Sequence, residues 1–198
     1  MKLLTQRLLV RSFREEDAEA LYRIKTDPAV LAYCPDLLDV DAPPEDMPKY
    51  IREFRQIEEE DDRVTWRCYA IESRETGDVM GCLTFSKHSL LHEYELGWMM
   101  RGAYKKKGYA SEAAAAFAEH ICRAWDLDYL IAFMDTDNPA SRRTAEKSGF
   151  RLFEKRTIYD WSYGRYCDDY LYFRRYFSGS TLENRFYGDV PYNGRSTT

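Results

Sequence analysis

The sequence predicts a single mixed α/β domain, a central sheet of about seven strands flanked by about four helices. Three observations carry this reading. Short runs such as Glu93 to Met100 alternate with a period of two, as half-buried strands do. From Ala110 onward, Ala113, Ala114, Phe117, Ala118, Ile121, Cys122 and Trp125 recur at the three- and four-residue steps of one helical face. Between these, strand, turn, helix and second strand follow in order over residues 93–134. That is a crossover unit, which joins parallel strands with a right-handed connection. A chain of 198 residues is long enough to bury a core without disulfides or metal.

Taken in order, Leu3 to Phe13 has the length and residue types of a strand. Arg14 to Thr26 follows as a helix with Ala18, Leu21, Tyr22 and the stem of Lys25 facing inward, and Asp27 with Pro28 ends it. Residues 35–44 form a connector rich in Asp and Pro. A second helix runs from Pro44 or Glu45 to Glu60, with Met47, Tyr50, Ile51, Phe54 and Ile57 on one face. Its acidic end, Glu58 to Asp62, reads as solvated and fraying. Val64 to Ser73 and Val79 to Lys87 form a hairpin. In the next strand Glu93, Glu95 and Gly97 share one side, and Tyr94, Leu96, Trp98 and Met100 the other. Tyr129 to Met134 is a short apolar strand. Asn138 and Pro139 supply an N-cap and a first-turn proline for a helix that runs to Ser148, with Gly149 past its end. Phe150 to Trp161 and Tyr166 to Phe177 make a final antiparallel pair. The domain is expected over residues 1–177. Residues 178–198 form a Gly, Ser and Asn rich tail of a composition compatible with disorder, and its aromatics, with those of the last hairpin, could support a homodimer.

Net charge is −5, with 29 Lys plus Arg against 34 Asp plus Glu, so a general nucleic-acid surface is not expected and a cationic substrate is tolerated. The five cysteines are scattered without a CxxC pair, which fits reduced thiols in a cytoplasm. Neither a signal peptide nor a membrane-spanning stretch is present, so the expected location is cytoplasmic and no membrane partner is expected. His88, His92 and His120 make no metal-ligand spacing with the cysteines, so no metal is assigned. GxSxG, GxGxxG and GxxxxGK[ST] are all absent.

The most informative stretch is RGAYKKKGYASEA, residues 101–113. Before Gly108 there is no Ser, Thr, Asp or Asn to cap the helix, so its first backbone N–H groups are left without a side-chain acceptor. Lys105, Lys106 and Lys107 stand where the helix dipole is already positive, and the turn therefore calls for an anion, a phosphate foremost.

Four stretches in register resemble the GNAT superfamily of acyl-CoA-dependent N-acetyltransferases, and within it the ribosomal-protein N-terminal-amine acetyltransferases. They are TQRLLVRSFREEDAEALYRIKTDPAV, ELGWMMRGAYKKKGYASEA, NPASRRTAEKSGF and YGRYCDDYLYF, spread over residues 5–177. The resemblance implies the acyl-CoA N-acyltransferase fold and acetyl-CoA as co-substrate. It implies that backbone groups from Lys105 to Ala110, through Lys106, Lys107, Gly108 and Tyr109, cradle the pyrophosphate. Ser111 would add a hydroxyl, Asn138 a further contact, and Met99 and Met100 backbone groups for the pantetheine arm. Glu95 is implied as general base, with Glu93 behind it, and Ser141 as proton donor to the leaving thiolate; Tyr163, Tyr166 and Tyr170 are alternative donors. The sequence departs from the family at Lys105, where Gln or Arg is usual, and at Lys106, where the subgroup commonly has glycine. A site needing positive φ would strain that lysine.

The activity implied is transfer of an acetyl group to a primary amine, a peptide α-amine or a small molecule, by direct attack. An alternative is an acyl-CoA-binding sensor or interaction module without catalysis. No motif identifies the amine, because specificity in this architecture lies in the first two helices and the last hairpin.

Overall fold

A computed structural model describes residues 1–87, 92–160 and 165–177. Its single sheet has eight strands, β1 (Lys2–Leu4), β2 (Leu8–Ser12), β3 (Arg67–Ser73), β4 (Val79–Lys87), β5 (Tyr94–Met100), β6 (Tyr129–Asp135), β7 (Arg151–Asp160) and β8 (Arg165–Tyr176), in the order β1-β2-β3-β4-β5-β6-β8-β7. Five α-helices accompany it: α1 (Ala18–Lys25), α2 (Pro28–Leu31), α3 (Met47–Glu59), α4 (Tyr109–Trp125) and α5 (Pro139–Lys147). The mixed α/β architecture agrees with the sequence expectation, with one strand and one helix more.

Both additions have local causes. The expected first strand is a hairpin, because Thr5 closes a turn by donating its N–H to the Leu8 carbonyl and accepting the Leu8 N–H on its hydroxyl. The Asp27-Pro28 pair that ends α1 also starts α2: Asp27 caps it by accepting the Ala29 N–H, with Pro28 in the first turn. The acidic end of α3 is not simply solvated. Glu58 pairs with the Met1 amino group and Ser12, while Asp62 accepts the N–H groups of Val64 and Thr65 in the following turn.

The sheet separates two apolar layers. On one face α4 lays Ala113, Ala114, Phe117, Ala118 and Ile121 against Leu8, Ile71, Leu83, Phe85 and Leu96. On the other, Leu21, Ile24, Met47, Ile51 and Phe54 of α1 and α3 cover Cys68, Ala70 and Cys82. Burial of side chains this size, each worth about 1.5–3 kcal/mol, holds both layers to the sheet. Among the described residues no helix is long and apolar enough to cross a membrane.

What positions the site is the one parallel junction. Every other neighbouring pair of strands is antiparallel, and β5 pairs with β6 at a single register position, Glu95 opposite Ile131. Beyond it the two strands part, and the edge of β5 that faces β6 runs on toward Met100 without a ladder partner among the described residues.

Candidate active site

The gap between the parting strands opens into a cavity of about 410 Å³. Its walls come from β5, β6, the turn before α4, the first turns of α4 and α5, and α2. Of the sequence-predicted residues, Glu95, Met99, Met100, Lys105, Lys106, Gly108, Tyr109, Ala110, Ser111, Asn138 and Ser141 all line it. Lys107 does not: its carbonyl accepts from Arg7 and its ammonium lies over the Tyr104 ring. Tyr170 lines the cavity, whereas Tyr163 and the side chain of Tyr166 lie outside the described residues.

The anion-seeking turn has the expected form. Gly108 occupies the N-cap position in the left-handed region, φ 79°, and no side chain caps the helix. Among the described residues the backbone N–H groups of Lys106 to Ser111 have no acceptor. Four-residue helix hydrogen bonding begins only with the Glu112 N–H on the Gly108 carbonyl. A Cβ at Gly108 would meet only an Arg7 nitrogen, at 3.6 Å, so conformation rather than crowding requires glycine there. Lys106 has φ 65°, a left-handed conformation that costs a side-chain-bearing residue about 1–2 kcal/mol. Lys105 is half-buried and donates to the Ala29 carbonyl at 2.8 Å, tying the turn to α2. Arg7, missed in the sequence, stacks on Tyr109 and pairs with Glu112 at 2.7 Å, adding positive charge at the same helix start. Burial raises the Glu112 carboxyl, but hydrogen bonds from Thr5 and Arg7 outweigh it and hold the group below the ordinary range.

Glu95 faces the α1 and α3 side of β5, alternating with Trp98 and Met100, which face α4. Burial pushes its carboxyl up to about 7. The group opens onto the cavity yet has no hydrogen bond or ion pair among the described residues, so nothing offsets the loss of water around its charge. Gly97 stands two residues on. A Cβ there would lie 2.3 Å from the Thr84 hydroxyl, so the glycine leaves room for Thr84 in the wall beside Glu95.

Glu93 is on the same side of the sheet but belongs to a different environment. It is 7% exposed, lies just before β5 and accepts from Tyr129 at 2.8 Å, Tyr172 at 2.6 Å and Arg174 at 3.1 Å. It does not line the cavity, and burial alone, not Glu93, raises Glu95.

Asn138 and Ser141 meet in the first turn of α5. The Asn138 side-chain oxygen accepts the Ser141 N–H at 3.0 Å, leaving its NH2 group to face the cavity. The Ser141 hydroxyl accepts the Trp98 indole N–H, also at 3.0 Å. With its oxygen so engaged, Ser141 keeps its own proton to donate. Trp98 thus holds the Ser141 hydroxyl in place, whereas the sequence reading gave it only a side of its strand. Its signal was available, since a half-buried indole N–H needs an acceptor.

The one-turn helix α2 crosses the mouth of the cleft. Gly102 donates its N–H to Asp27 at 3.1 Å on one side, and on the other the Tyr33 hydroxyl donates to the Asp137 carbonyl at 3.0 Å. These contacts span 75 and 104 residues of sequence, so no local pattern announces them.

Residues 7–151 match the family model described as an acetyltransferase (GNAT) domain. The uncharacterized N-acetyltransferase YnaD of Bacillus subtilis (strain 168) is 30% identical over 151 residues, covering 76% of this chain and 83% of that one. An acetyltransferase of the GNAT family from Bacillus anthracis superposes with a TM-score of 0.72 at 26% identity, covering 89% of this chain and 98% of the other. RimL, a ribosomal L7/L12 alpha-N-protein acetyltransferase solved in complex with coenzyme A, reaches a TM-score of 0.72 over the same shares at 18% identity, a likeness of fold alone. The family model covers the parting strands, the uncapped helix start and the Asn138 helix together, and the chain belongs to the GNAT acetyltransferase family.

Proposed function

We propose that this acetyltransferase takes its acetyl group from acetyl-CoA and passes it to a primary amine by direct attack. Glu95 acts as base and Ser141 as proton donor, and residues 1–177 form the catalytic domain. The observation that carries the reading is Glu95: a carboxyl raised to about 7 by burial, without a partner among the described residues, opening into the cavity where β5 and β6 part. Such a group takes a proton near neutral pH, where an amine with a pKa of about 8 to 10 is largely charged and needs to lose one.

The residues present fit acetyl-CoA. The free N–H groups of Lys106 to Ser111, at an uncapped helix start, suit a pyrophosphate, with Lys105, Lys106 and Arg7 close by. The Asn138 NH2 group and the unpaired edge of β5 at Met99 and Met100 offer donors and acceptors to the extended arm. When bound, acetyl-CoA supplies the thioester carbonyl that the amine attacks. Glu95 removes the proton from nitrogen, directly or through water, as the C–N bond forms. Ser141, held by Trp98, passes a proton to sulfur as the C–S bond breaks and regains one from water, while Glu95 returns the amine proton to water.

The test has two arms. Acetyl-CoA should raise the melting temperature, and a panel of amines should include one that releases free thiol. No stabilisation by any acyl-CoA sinks the proposal. Stabilisation without thiol release over a broad panel leaves acyl-CoA binding standing and removes the acceptor half.

A further inference from the structure

The cavity is not uniformly charged, and its polarity bears on the acceptor. This inference rests on the amine-acetyltransferase reading above and names a substrate class for it. Its basic wall is the turn before α4 with Arg143 and Lys147 of α5. The opposite wall is built on the other face of β6, and register fixes its content. Glu95 is level with Ile131, and Phe133 and Asp135 follow at steps of two, so all four side chains share one face. Asp135 pairs with Tyr170 in register, and the Phe133 ring lies 4.9 Å from Tyr172 and 6.5 Å from Tyr170, centroid to centroid. Four residues of strand separate the levels of Glu95 and Asp135, about 13 Å at ~3.3 Å per residue. An aromatic surface thus lies between the Glu95 carboxyl at the catalytic end and a second carboxylate farther out.

The outer end is built up from both sides. Asp135 accepts the Asp137 N–H on Oδ1 at 2.8 Å, and among the described residues Oδ2 has no partner and can meet a ligand. The Tyr33 hydroxyl binds the Asp137 carbonyl, bringing the end of α2 against this loop, and Asp36 also reaches the cavity. Carboxylates and aromatic faces together select for cations: the carboxylate by charge, the rings through their negative faces.

We infer that the acceptor is a di- or polycationic amine, an α,ω-diamine or polyamine, whose attacking nitrogen sits at Glu95 while a second, charged nitrogen is held by Asp135 beside Phe133 and Tyr170. Distance sets the reach. A single amine at Glu95 cannot touch Asp135, and a chain of several methylenes carrying a second ammonium spans the aromatic stretch between them.

The experiment compares 1,5-diaminopentane and spermidine with pentylamine and a neutral peptide α-amine, following thiol release from acetyl-CoA. The expected result is kcat/KM for the dicationic amines at least about fivefold above pentylamine, the gain residing in KM. Asp135→Asn keeps the oxygen that accepts the Asp137 N–H. It should erase that gain while leaving pentylamine unchanged, and Asp36→Asn should reduce the gain by less. Equal turnover of mono- and diamines, or an equal loss for both in Asp135→Asn, overturns the inference and leaves the acetyltransferase reading intact. If no amine releases thiol, that reading fails instead. Calorimetric titration of 1,5-diaminopentane into the full chain then decides the inference. Heat that vanishes in Asp135→Asn supports a dication site, and no heat overturns it.

Discussion

Two glutamates two residues apart in one segment, facing the same side of the sheet, divide the molecule into a closed end and an open end. Glu93 sits where β5, β6 and β8 come together, saturated by two tyrosine hydroxyls and an arginine that is itself 2% exposed. Glu95 sits at the last register position before β5 and β6 part, with no partner at all among the described residues. Both have lost water. What separates them is compensation: the buried Glu93 carboxylate has three donors and anchors structure, whereas the half-buried Glu95 has none among the described residues and its carboxyl is raised toward neutral pH. The closed end also keeps its donors. Burial first, and then Glu93, push the Tyr172 hydroxyl up, so it stays protonated and continues to donate.

Breaking the closed end should give the largest effect. Arg174→Ala leaves Glu93 buried beside two phenols but without its countercharge, and removes the guanidinium stacked 3.9 Å over Phe153. Loss of one partner of a buried pair costs about 3–5 kcal/mol, read as a fall in urea midpoint. A cost under about 1 kcal/mol would mean that Glu93 does not anchor the closed end.

At the open end the same logic runs with the opposite sign. The Glu95 carboxyl is raised in the folded state from 4.5 to about 7, so between those values the folded protein holds more protons than the unfolded chain. Stability contributed by this group is therefore present at low pH and lost as pH rises through 7. Glu95→Gln should leave stability unchanged below about pH 4.5 and raise it by about 1–3 kcal/mol above pH 7, a figure reduced for the group's access to the cavity. Turnover should move the other way, falling roughly 10²-fold or more at neutral pH and less at high pH, where the amine deprotonates unaided. A variant neither more stable at pH 8 nor slower at pH 7 breaks the contrast between the two glutamates.

A smaller effect sharpens the comparison within the open end. Trp98→Phe removes the indole N–H that holds the Ser141 oxygen while keeping an aromatic ring against Phe150. We expect kcat to fall about fivefold, the worth of roughly 1 kcal/mol for one hydrogen bond, with KM for acetyl-CoA unchanged. A change confined to KM would assign Trp98 to packing alone.

Most of this arrangement was legible in the sequence where the signal is local. The seam of α4, the missing cap before Gly108 and the Asn138-Pro139 start of α5 follow from residue type and spacing, and the structure places them as read. So does the shared face of Glu93 and Glu95. Their opposite fates were not legible, because the groups that saturate Glu93 come from residues 129, 172 and 174, brought near only by the sheet order. The α2 crossing was hidden for the same reason, and for a second one. Asp-Pro ends one helix and caps the next with the same two residues, and a four-residue helix carries no periodicity. Residues 178–198, with their tyrosines, and residues 161–164 lie outside the described residues.

The smallest predicted effect concerns the one position where sequence comparison and backbone geometry meet. Lys106 stands where the resemblance to the family implies glycine, and its φ of 65° is the conformation that glycine adopts without a Cβ clash. Holding a side-chain-bearing residue there costs about 1–2 kcal/mol. Glycine would relieve that cost but give up about 0.5–1 kcal/mol in the freedom lost from the unfolded chain. Lys106→Gly should thus stabilise the protein by about 0.5–1 kcal/mol. Lys107, which is not among the positive-φ residues, is the control, and Lys107→Gly should destabilise by a similar amount. The two neighbours separate backbone from charge, because each substitution removes one positive charge from the same turn. If both variants shift stability in the same direction, electrostatic repulsion with the helix dipole dominates and the strain argument fails. If they diverge as expected, an accompanying rise in KM for acetyl-CoA in Lys106→Gly alone would mean that the strained lysine is retained for its charge, since Lys106 lines the cavity while the Lys107 ammonium lies over Tyr104.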